Sequence, residues 1–120
     1  MTKKQQFIGT FIKDVFNFDE VKFDCAFGCM KVIAKSKAHN GIWNVDFGKV
    51  FYIYIDKTKT KGYSIKFKTA AIPEESIALV KQRAQQAWPG ATIDIYNRHE
   101  PCVHKDMPTL RVRVKELPWK

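Results

Sequence analysis

Near the start of the chain, apolar residues recur with helical spacing. Phe7, Ile8, Phe11, Ile12, Val15 and Phe16 fall on one stripe of a 3.6-residue period, with Lys3, Lys4, Lys13 and Asp14 opposite. The pattern predicts an amphipathic helix. Such a face serves a partner or, as is usual, the protein's own core. Gly9 costs that helix about 1 kcal/mol relative to alanine. Further on the period changes to two. Met30, Val32 and Ala34 alternate with Lys31, Ile33 and Lys35, and an Asn40-Gly41 turn follows. Trp43, Val45 and Phe47 then alternate with Asn44 and Asp46, and Gly48 reads as a bulge or a second turn. Val50 to Ile55 is β-branched and aromatic throughout, so it reads as a central strand.

After the polar loop Lys57 to Gly62, Tyr63, Ile65 and Phe67 alternate with Ser64, Lys66 and Lys68. A second helix is expected from Pro73, placed at its first position, with Glu74 and Glu75 complementing the positive end of the helix dipole. Its stripe is Ile77, Val80, Ala84, Ala87 and Trp88, and Pro89-Gly90 stops it. Two strands close the chain, Thr92 to Asn97 and Leu110 to Lys115, joined by a long connection from Arg98 to Pro108. The elements therefore predict an α+β fold: an antiparallel sheet of about five strands, two helices on one face, in the order α-β-β-β-α-β-β. Such a sheet leaves its other face to solvent or to a partner. At 120 residues a single domain spans 1–120.

Helix, three strands and helix over residues 5–88 resembles the order in double-stranded-RNA-binding domains. His39 before Trp43, Val45 and Phe47 is similar to that family's loop histidine ahead of its second strand. That resemblance implies nucleic-acid binding, but Pro73-Glu74-Glu75-Ser76 stands where the family opens its second helix with lysines. Acids there repel phosphate, so no residue role carries over.

Charge sharpens the picture. With 21 lysines and arginines against 12 acids the net charge is +9, which favours an anionic partner, although a basic surface also serves solubility. Residues 30–69 hold nine lysines against Asp46 and Asp56, a net of +7. Strand alternation sorts Lys66 and Lys68 onto one face, and Arg111, Arg113 and Lys115 likewise; if Phe51, Ile53 and Ile55 face the helices, Tyr52 and Tyr54 join them. Lysines neutralise phosphates and tyrosines stack on unpaired bases. The candidate nucleic-acid-binding set is therefore Tyr52, Tyr54, Lys57, Lys59, Lys61, Lys66, Lys68, Arg111, Arg113 and Lys115, for RNA or single-stranded DNA. A solvated outer face, with lysines guarding strand edges, is the plain alternative. Two others are an inhibitor or adaptor docking an acidic protein, of the kind viruses and mobile elements encode, and a pocket for a small anion or nucleotide.

Enzyme chemistry finds little purchase. Cys25, Cys29, His99, Cys102 and His104 supply zinc-ligand types at atypical spacing, and buried thiols with loop histidines are the plainer reading. Cys102 between His99 and His104 invites a Cys–His nucleophile, but adjacency in sequence supplies neither geometry nor a lowered thiol pKa. Asp14, Asp19, Glu20 and Lys22 form a nuclease-like scatter placed at a helix end, and Asp94 with Glu100 is no better arranged. The expectation is a protein that is not an enzyme and carries no cofactor or metal. An odd cysteine count, no apolar run of spanning length and no signal-peptide pattern point to a cytoplasmic setting without a membrane partner.

Overall fold

The computed structural model describes residues 2–26, 28–37, 41–42, 48–59, 62–69, 72–97 and 108–119. Helix α1 (Lys3–Phe16) forms on the expected stripe, and a capping box fixes its start. Thr2 Oγ1 accepts the Gln5 backbone N–H at 3.1 Å, and Gln5 Oε1 accepts that of Thr2 at 3.1 Å. Asn17 ends the helix at φ 59°, a left-handed conformation that asparagine tolerates. Ile8, Phe11, Ile12, Val15 and Phe16 are all buried, so the stripe serves the core.

The chain continues through β1 (Glu20–Ala26), β2 (Cys29–Lys35), β3 (Gly48–Lys57), β4 (Tyr63–Lys68), α2 (Glu74–Ala87), β5 (Thr92–Asn97) and β6 (Pro108–Val114). The strands make one sheet in the order β1-β2-β3-β4-β6-β5, antiparallel at every pairing. The α+β class, the antiparallel sheet and the placement of the helices are as expected, but the sheet has six strands, not about five. The added strand is β1. Four strands stand between the helices where the double-stranded-RNA-binding comparison required three. Pro73 is the N-cap of α2 rather than its first helical residue. Gly48 opens β3 opposite Lys35 instead of marking a bulge or turn. Asn40, His39 and the segment 43–47 lie outside the described residues.

The register stacks one apolar layer across the sheet: Val32 faces Phe51, Ile53 faces Phe67, Ile65 faces Val112, and Ile93 faces Val112 from the other side. Both helices cover this layer. Phe11 stacks on Phe67 at 4.9 Å between ring centroids, and Phe16 meets Phe51 at 4.9 Å. Burying each such side chain contributes roughly 1.5–3 kcal/mol. Phe7, Trp88 and Trp119 meet at the layer's end, with Phe7 and Trp88 at 4.7 Å and Phe7 and Trp119 at 5.8 Å. The segment after β6 is thereby held against α1 and α2. On the same side, Val80 and Ala84 of α2 are buried with α1's stripe. Gly9 lets α1 lie close to β1, since a Cβ there would come 3.1 Å from Val21 Cγ2. Among the described residues no helix is long and apolar enough to cross a membrane.

Candidate nucleic-acid interface

With one face of the sheet under the helices, strand alternation assigns the other. The register draws two rows across it. In the first, Lys31 of β2 faces Tyr52 of β3, which faces Lys68 of β4. In the second, Tyr54 faces Lys66, Lys66 faces Arg111 of β6, and Arg111 faces Asp94 of β5. The rows are held diagonally: Lys68 Nζ sits 5.4 Å from the centroid of the Tyr54 ring, a cation–π contact that keeps the tyrosine in place beside the lysine. No helix among the described residues crosses these rows.

Of the expected site, Tyr52, Tyr54, Lys66, Lys68, Arg111 and Arg113 thus share one face. Lys57 does not: it faces Tyr63, on the helix-facing side at the sheet's end, and is exposed there. Lys59 is exposed in the β3–β4 loop, and Lys61 lies outside the described residues. Lys115 follows the last residue of β6 and is exposed.

The face also holds residues that the candidate set omitted, Lys31, Lys35 and Asp94 among them. Lys31 is half-buried at its centre, and its alternation with Val32 already carried that signal. Asp94 is the larger omission. Its Oδ2 accepts from Arg111 Nη2 at 3.2 Å and from Arg113 Nη2 at 3.0 Å, so one carboxylate clasps two guanidiniums. The edge strand β1 adds Glu20 and Asp24, which face Lys35 and Lys31 across the β1–β2 pair. Over β2, β3, β4 and β6 the face carries Lys31, Lys35, Lys66, Lys68, Arg111 and Arg113, six cations, against Asp56 alone. The two edge strands contribute Glu20, Asp24 and Asp94 against Lys22. The face is therefore a basic, tyrosine-bearing stripe with carboxylates on both edge strands, not a uniformly cationic plane.

The connection between α1 and β1 holds Asp19, whose Oδ2 accepts the Lys37 backbone N–H at 2.6 Å. Asp19 is thereby committed to the chain path. Glu20 and Lys22 stand on β1, not at the helix end where the sequence reading put them, while Asp14 remains in α1. Among the described residues no group of three or more His, Cys, Asp or Glu side chains converges to hold a metal. Of the zinc candidates, Cys29 is a half-buried free thiol, whereas His99, Cys102 and His104 lie outside the described residues. The same holds for the Cys102 nucleophile reading.

A cleft of about 510 Å³ opens at the end of the sheet where the β3–β4 loop meets the last residues of β6 and the first of β5. Arg113, Lys115, Thr58 and Thr92 line it. No protein-family model matches this chain, and no curated protein and no solved structure is found to be similar to it.

Proposed function

We propose that the protein binds single-stranded nucleic acid on the open face of its sheet. Support comes from one observation above all: the register that interleaves Lys31, Tyr52 and Lys68 in one row and Tyr54, Lys66 and Arg111 in the next. Phosphates need cations and unpaired bases need aromatic faces; here the two alternate within a few ångströms across adjacent strands, which are spaced about 4.8 Å apart. Tyrosine rings on a sheet face stack with bases only when those bases are unstacked, which favours a single strand over a duplex. Glu20 and Asp24 on β1 disfavour a polyanion at that edge, while Asp94 offsets part of the charge of Arg111 and Arg113. Binding requires no cofactor and no bond-making step. The test is fluorescence anisotropy of short single-stranded RNA and DNA over a salt series. Affinity at low salt that falls linearly with the logarithm of salt concentration supports the proposal; no binding at low salt removes it.

An acidic protein partner is the second reading, and one pair favours it. Ile33 faces Val50 across β2–β3 on the same open face, and Val50 is 37% exposed. An apolar pair beside a basic stripe suits a protein interface, whose buried centre is depleted of charge. Purification with and without nuclease separates the two readings: a copurifying protein that survives nuclease supports this one, and a nuclease-sensitive 260 nm excess supports the first.

A further inference from the structure

The cleft at the end of the sheet lies off the two tyrosine rows, and its lining differs from theirs. Its lining combines two cations, Arg113 and Lys115, with two threonines, Thr58 and Thr92, beside Tyr63. A second, smaller cleft of about 350 Å³ adjoins it through Tyr63 and Lys115. Arg113 is not loose within it. Asp94 Oδ2 holds its guanidinium at 3.0 Å, which fixes the fork while Arg113's other N–H donors remain for a ligand.

The two ends of the β3–β4 connection, Thr58 and Gly62, are tied together. Thr58 N–H donates to the Gly62 carbonyl at 2.9 Å, closing the β3–β4 turn. Gly62 then passes so near β6 that a Cβ there would come 2.8 Å from the Val114 carbonyl oxygen. Only glycine permits that approach, which holds Gly62 against the Arg113–Lys115 end of β6. Three acids lie near the cleft: Asp94, already engaged by arginines; Glu116, which lines the second cleft; and Asp56, which shares the row running through Ser64 to Arg113. The volume lies in the range that takes a nucleotide-sized group, well above that of a bare anion.

We propose that this cleft takes a phosphomonoester: the terminal phosphate of a nucleic-acid strand whose body lies on the tyrosine rows. The inference rests on the sheet-face reading for the body of the strand, but the cleft has its own chemistry. A phosphomonoester carries about −1.5 to −2 charges at neutral pH and three acceptor oxygens, against one charge for an internal diester. Arg113 and Lys115 supply the opposing charges, and the Thr58 and Thr92 hydroxyls supply neutral donors.

Four ligands decide it: one short single-stranded sequence with a 5′-phosphate, with a 3′-phosphate and with hydroxyl ends, and the free nucleoside monophosphate. Expected is binding of one phosphorylated form roughly tenfold tighter than the hydroxyl form, the scale of one charge-assisted hydrogen bond. K115A and T92V should each shrink that ratio towards one. Binding of free monophosphate but no terminal preference assigns the cleft to free nucleotides and overturns the strand-end assignment. If the hydroxyl oligonucleotide does not bind while the monophosphate still shifts the amide signals of Thr58 and Thr92, the sheet-face reading fails and the cleft's affinity for phosphomonoesters stands. Equal affinity for all three oligonucleotides, with no monophosphate binding, overturns the proposal.

Discussion

Asp94 and Arg111 face each other across the β5–β6 pair, and the carboxylate that accepts from Arg111 at 3.2 Å also accepts from Arg113 at 3.0 Å. These two side chains are about a third exposed, at 35% and 33%. An ion pair at that exposure contributes about 0–1 kcal/mol to stability. Its larger effect is on charge: it sets two of the stripe's six cations against an internal anion.

D94N should therefore act on binding more than on folding. Expected is a change in unfolding free energy of about 1 kcal/mol or less. Oligonucleotide affinity should rise several-fold, with a salt slope steeper by about 0.7–1.4 for one or two added phosphate contacts. Anisotropy titrations at several salt concentrations measure both, and a weaker-binding D94N contradicts the electrostatic account.

Lys31, Lys66 and Lys68 carry the central phosphate contacts. Replacing all three with alanine should weaken binding and flatten the salt slope by about 2, at about 0.7 per single-strand contact. The triple variant should lose about 0.5–1 kcal/mol of stability, the scale of the Lys68–Tyr54 cation–π contact, measured by chemical denaturation.

Y52A and Y54A should each weaken binding by about 1–3 kcal/mol, the range of a base–aromatic stack, with the salt slope retained. Phenylalanine at either position should restore most of the loss, since the ring and not the hydroxyl does the stacking. Quenching of tyrosine fluorescence on titration gives an independent readout.

Gly62→Ala should destabilise the fold by about 1–3 kcal/mol, because the new Cβ meets the Val114 carbonyl oxygen at 2.8 Å and backbone must shift. Phe67→Ala should cost about 3–5 kcal/mol by opening a cavity under Phe11. Chemical denaturation measures both.

What the sequence made legible follows from periodicity. The α1 stripe and the alternation of Lys66 and Lys68 with Ile65 and Phe67, or of Arg111 and Arg113 with Leu110 and Val112, are local patterns, and local geometry honoured them. β1 was legible too: Val21 and Phe23 alternate with Glu20, Lys22 and Asp24, but read as a scatter of carboxylates those positions hid a strand. The Asp94 clasp was not legible. It exists only because β6 enters the sheet between β4 and β5 in a register that sets Arg111 opposite Asp94, a non-local pairing that no alternation pattern encodes. The same insertion brings the β6 end beside the β3–β4 loop and so creates the cleft.

The most direct measurement is the binding of a fluorescent single-stranded oligonucleotide to the intact protein across a salt series, beside a duplex of the same sequence. The account predicts low-salt binding of the single strand, weaker binding of the duplex, and an affinity that declines log-linearly with salt. No binding of the single strand at low salt, or a preference for the duplex, would contradict it.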